Sequence, residues 1–90
     1  MLALDKAPYE VMHLGEKMIE YRTNNAYWRS RIVGKGYTHV EFRAGYLPGC
    51  RRFTRRLVRV QALAFVDETY SNGLRVHARN QLALHLDFDL

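Results

Sequence analysis

A chain of 90 residues makes a single domain over 1–90, because domains begin at about 50 residues and peak near 100–150. An apolar share of 48% fits a globular chain rather than a disordered one, no apolar run approaches the ~20 residues that span a bilayer, and a single cysteine, Cys50, excludes an internal disulfide. The formal charge of +5 points away from cationic ligands and toward anionic ones. At this size only about 60–65% of the unfolded surface is buried, so the core is thin. No charged stretch followed by an apolar one opens the chain, so no signal peptide and a cytoplasmic location are expected.

Pro8 and Gly15 bracket a short helix over residues 9–14, with Asp5 as a candidate N-cap and Tyr9, Val11, Met12 and Leu14 as its apolar positions. Gly15 then turns the chain into a strand over residues 18–22. Strand alternation puts Met18, Glu20 and Arg22 on one face and Ile19 and Tyr21 on the other, with Lys17 on the turn leading in. That set of opposite charges reads either as a site for a polar ligand or as a salt bridge alone. Thr23-Asn24-Asn25 is a turn, and Asn24 or Asn25 caps a second helix over Ala26–Ile32, which stops near Gly34. Gly34-Lys35-Gly36 reads as a flexible link.

Residues 38–43 alternate as a strand, with Val40 and Phe42 facing the core. Gly45, Pro48 and Gly49 place a turn over 44–50. Residues 52–66 form one long strand or two joined by a bulge, since Val58, Val60, Ala62 and Ala64 fall out of phase with Phe53, Leu57, Leu63 and Phe65. The same alternation puts Arg55, Arg59 and Gln61 on one face. A polar loop over 67–80 carries the Asn72-Gly73 turn signal, and residues 81–88 close the chain as a strand with Leu82, Leu84, Leu86 and Phe88 on one side. These elements predict an α+β, mainly β chain: a small, partly closed barrel of about five mostly antiparallel strands with two short helices.

Charge is concentrated. Eleven of the fourteen basic residues are arginine, and the stretch from Arg43 to Arg59 holds six of them and no acid. Arginine presents a planar donor fork that matches phosphate and stacks on rings, so such a stretch suggests a polyanion, most often nucleic acid. Alternate strand residues lie ~6.6 Å apart, near the spacing of successive phosphates in a single strand. The competing reading is a solvated face that blocks edge-to-edge aggregation. Tyr27 and Trp28 beside Arg29 and Arg31 form a basic-aromatic interleave; Trp28 reads as core, leaving Tyr27 or Tyr46 for a cleft. The histidines at 13, 39, 77 and 85 show no metal-ligand spacing, so neither a zinc site nor a cofactor is expected. The alternation at residues 81–90 offers a surface for pairing across a homodimer.

Three motifs in series, Gly15-x-Lys17-x-x-Glu20-x-Arg22, Tyr27-Trp28-Arg29-x-Arg31 and His39-Val40-x-Phe42-x-x-Gly45-Tyr46, resemble a compact ASCH domain of the phage or bacterial type. ASCH domains belong to the PUA-like superfamily of small β-barrels, and the resemblance runs from about residue 9 to the end, with Leu82-Ala83-Leu84-His85-Leu86 similar to the closing strand. It implies a basic cleft that binds RNA or a modified nucleoside. In that cleft Lys17, Glu20 and Arg22 form the floor, Tyr27, Arg29, Arg43 and Tyr46 the wall, and Arg52, Arg55 and Arg59 a strand that attracts phosphates. Some relatives of this kind hydrolyse acetylcytidine or cut single-stranded RNA, which would make Lys17 and Glu20 catalytic. The threonine of those hydrolases falls on Glu20, and the segment carrying their glutamate is lacking, leaving Asp67 and Glu68 in the 67–80 loop. A third reading is a phage-type module whose arginine face meets an acidic protein.

Overall fold

The computed structural model describes residues 2–89. Five strands and two helices follow in the order β1 (Leu2–Leu4), α1 (Lys6–His13), β2 (Ile19–Thr23), α2 (Ala26–Ile32), β3 (His39–Ala44), β4 (Arg52–Thr69) and β5 (Arg75–Phe88). The fold is α+β and mainly β, as the sequence predicts. The strands form one sheet in the order β1-β3-β4-β5-β2, in which β1 runs parallel to β3 and every other pair is antiparallel. The sheet is mixed and open, with β1 and β2 as its edges. No helix among the described residues is long and apolar enough to cross a membrane.

Helix α1 starts earlier than its apolar residues suggest. Pro8 sits inside its first turn, where no N–H is required, and Asp5 holds the N-cap position without a side-chain cap bond. Gly15 ends the helix with φ +85° and donates to the carbonyl of Met12 at 3.0 Å. A Cβ at Gly15 would meet the Phe88 ring at 2.6 Å, so this turn also needs the missing side chain for closeness. On α2, Asn25 supplies the cap: its carboxamide oxygen accepts from the Trp28 N–H at 2.9 Å.

The sheet and helices close over Leu4, Tyr9, Met12, Ile32, Val40, Phe42, Leu82, Leu84 and Leu86, with Trp28, Phe53, Leu57 and Val60 packed on the margin. Val40, Phe42 and the three leucines of β5 are thus core residues, as their alternation indicates. Phe88, predicted beside them, is exposed. The expected bulge lies in β4 between Leu57 and Arg59. Leu57 pairs with Leu86 on the core side, whereas Arg59 pairs with His85 on the outer side.

Two expectations are corrected. Residues 67–80 are not a loop: β4 continues to Thr69, β5 starts at Arg75, and only the turn at Asn72-Gly73 separates them. The signal is faint on both arms: Asp67-Glu68-Thr69 has no apolar residue, and Val76 and Ala78 alternate with Arg75, His77 and Arg79 over only five residues and stay half-buried. Within the surface expected over 81–90, residues 81–85 are not free for pairing, because Gln81 to His85 are paired with β4 on one side and β2 on the other, and Leu90 lies outside the described residues.

Candidate functional site

A cleft of about 760 Å³ opens between α2, the chain that follows it and the start of β3. Leu57, Leu84 and Val40 form its apolar base, and Leu2 and Ala3 of β1 form one rim. Three cations (Arg22, Arg31 and Lys35) and four aromatics (Tyr27, Trp28, Tyr37 and Tyr46) line it together with His39. None of its described lining residues is acidic. The volume suits a nucleotide-sized ligand. Arg31 lies four residues after Tyr27 on the same helix face, and its guanidinium stacks 3.7 Å from the Tyr27 ring centre. The Arg22 guanidinium stands 4.9 Å from the Trp28 ring centre.

Arg22 belongs to a buried chain of charge. Glu20 accepts from Arg22 Nη2 through Oε2 at 2.9 Å and from Lys17 Nζ through Oε1 at 3.2 Å. The Tyr21 N–H also donates to Oε1, at 3.0 Å. Lys17 and Glu20 are 2% and 6% exposed, which places both behind the cleft rather than in it. The Lys17 ammonium donates to the Ile19 carbonyl and lies 5.3 Å and 6.0 Å from the ring centres of Tyr21 and Tyr70. Burial pushes the Lys17 amine below its ordinary range, with Glu20 opposing that shift and Arg22 adding to it. Burial raises the Tyr70 phenol, helped by neighbouring Tyr21, Glu68, Glu20 and Glu16.

The structure brings together only part of the set that the sequence singles out. Arg22, Tyr27 and Tyr46 line the cleft; Lys17 and Glu20 support Arg22 from behind. Arg29 is elsewhere, donating to the Asn24 side chain at 2.9 Å on the exposed side of α2. Arg43 reaches the Leu47 carbonyl at 3.5 Å, and Arg52 pairs with Glu41 at 3.7 Å on the outer face of the sheet.

Arg55 departs most from its expected place on a phosphate track shared with Arg59. It is 8% exposed and lies on the core face, where Nη2 donates to the carbonyls of Met12 at 3.0 Å and His13 at 3.4 Å. Its guanidinium sits between the rings of Phe53 and Phe88, 4.5 Å and 4.8 Å from their centres. It therefore closes the C-terminal end of α1, where orphan carbonyls favour a cation. The bulge reverses the parity of β4, so Arg52, Arg56 and Arg59 share the outer face and Arg55 does not. Asp87 neutralises Arg56 there at 2.7 Å.

Sequence reasoning named Arg31 in the basic-aromatic interleave but not in the cleft wall, and missed Lys35 and Tyr37 altogether. For Arg31 a signal existed, the four-residue spacing from Tyr27 on a helix. Lys35 and Tyr37 sit in an irregular segment whose position depends on how α2 docks, and no local pattern reveals that. No family model, curated protein or solved structure matches this chain.

Proposed function

We propose that the protein binds single-stranded RNA or a modified nucleoside in the cleft between α2 and the sheet, in the manner of a small ASCH-like module. The observation that carries this reading is the meeting of Arg22, Arg31 and Lys35 with Tyr27, Trp28, Tyr37 and Tyr46 in a space free of acidic lining residues. Cations attract phosphate, and each base stacked on an aromatic ring contributes ~1–3 kcal/mol with little regard to base identity. Lys17 and Glu20 serve here by holding Arg22 rather than by reacting. A PUA-like barrel is part of the same proposal: the two sheet edges approach closely enough for Arg22 on β2 to reach the Ala3 carbonyl on β1 at 3.2 Å. So is a cytoplasmic location, where such ligands are found.

The test is fluorescence anisotropy of a short labelled single-stranded RNA at two salt concentrations, with wild type, Arg31→Ala and Tyr37→Ala. Binding should weaken steeply with salt, and Arg31→Ala should lower the salt slope by about one while weakening binding. Tyr37→Ala should weaken binding on the order of tenfold and leave that slope unchanged. Binding that ignores salt and both substitutions would exclude this cleft. RNA that fails to compete with an acidic protein ligand would turn the reading toward a protein partner.

A further inference from the structure

The four aromatics of the cleft are not equivalent. Tyr27 already carries the Arg31 guanidinium at 3.7 Å and meets Trp28 edge to face at 5.0 Å, while Trp28 carries Arg22 at 4.9 Å. These two rings orient cations. Tyr37 and Tyr46 have no ring or cation stacked on them among the described residues, and they are 58% and 87% exposed. Both nevertheless line the cleft. Tyr37 comes just before β3 and Tyr46 just after it, so the strand His39–Ala44 lies between them. Six extended residues put about 17 Å between their first and last Cα atoms. Two rings that sandwich one base stand only about 7 Å apart, so Tyr37 and Tyr46 serve different bases at opposite ends of the cleft.

The cations are spread along the same line. Arg22 reaches the Ala3 carbonyl, and Ala3 pairs with Arg43 near the Tyr46 end. Its Nη2 is held by Ala3 and Glu20, which leaves Nη1 for a ligand. Lys35 sits two residues before Tyr37, at the other end. Neither Arg31 nor Lys35 has a carboxylate partner among the described residues.

We infer that the cleft takes a run of single-stranded RNA and not a lone nucleoside, with the two end bases stacked on Tyr46 and Tyr37 and the phosphates between them on Arg22, Arg31 and Lys35. Successive phosphates match the ~6.6 Å of alternate strand residues, so the span fits about three nucleotides. This inference rests on the reading of the cleft as a nucleotide site, and it chooses between the two ligands that reading allows.

Isothermal titration with uridine monophosphate and with oligouridylates of increasing length tests it. Affinity should climb steeply from one nucleotide to about three and then level off. Tyr37→Ala and Tyr46→Ala should each weaken the trinucleotide on the order of tenfold, and the monophosphate by no more than about twofold. A trinucleotide lacking its 5′ base should be sensitive to only one of the two substitutions, and one lacking its 3′ base to only the other. A monophosphate that binds as tightly as the trinucleotide overturns the inference and leaves the cleft as a nucleoside site. Two substitutions that act alike whichever base is missing also overturn it. If no ligand of the series binds, the nucleotide reading of the cleft falls and this inference with it. The length series decides the matter without any variant.

Discussion

Arg22 Nη2 on β2 donates to the main-chain carbonyl of Ala3 on β1, 3.2 Å away, and so ties the two edges of an otherwise open sheet. The same nitrogen donates to Glu20, so the position of the cleft cation is fixed from both sides. Replacing it by a side chain of similar length, Arg22→Met, should lower stability by about 2–3 kcal/mol, since a charged hydrogen bond and a buried carboxylate's partner go together. Urea denaturation measures the loss. Amide exchange should rise most in β1, a three-residue strand with a single sheet partner.

Glu20 and Lys17 are unequal members of their pair. Glu20→Ala leaves a 2%-exposed ammonium with only a carbonyl acceptor, and should cost about 3 kcal/mol or more. Lys17→Met leaves Glu20 with Arg22 and the Tyr21 N–H, and should change stability by less than about 1 kcal/mol. Equal losses in the two variants, measured by denaturant melts, would show that the ammonium matters as much as the carboxylate.

The same lysine sets an alkaline pH dependence. Its amine is lowered in the folded state from 10.5, chiefly by burial, so the folded chain releases that proton before the unfolded chain does. The site's contribution is therefore least favourable below the folded value and improves as pH climbs toward 10.5. Stability of wild type relative to Lys17→Met should rise over this window. A flat difference between the two melting curves would refute the assignment.

Arg55 should behave as part of the fold and not of the ligand site. Arg55→Met removes the bonds to Met12 and His13 and should cost about 2–3 kcal/mol, while RNA affinity per folded molecule stays at the wild-type level. Arg31→Ala should show the reverse pattern, with weak binding and near-normal stability. Denaturation and anisotropy on the same two variants separate the roles.

At acid pH the tip of the β4–β5 hairpin should loosen. Glu16 accepts from the Ser71 N–H at 2.7 Å and from its hydroxyl, which holds the Glu16 carboxyl below its usual value of 4.5. Hydrogen bonds with Arg75 and Arg56 likewise lower Asp67 and Asp87 from 3.8. Groups lowered in this way stabilise the fold above the unfolded values and stop doing so as pH falls through the folded ones. Amide exchange at residues 70–74 should therefore rise below about pH 4. Ser71→Ala should produce the same rise at neutral pH.

The sequence by itself determined the local elements and much of the core. Alternation at Val40 and Phe42 and at Leu82, Leu84 and Leu86 named the buried faces, and Asn24 or Asn25, Gly15 and Asn72-Gly73 marked a cap, a helix stop and a hairpin turn. These signals are short-range, set by backbone sterics and by which side of a strand meets water. The tertiary structure alone decided that three residues at the start of the chain form a strand, because they carry no period of their own and take their shape from the edge of β3. It also decided which charges face the cleft. A one-residue bulge moved Arg55 into the core and left Arg59 outside, and burial withdrew Lys17 and Glu20 behind Arg22. A side chain's distance from residues far along the chain depends on how elements dock, and no local pattern encodes that.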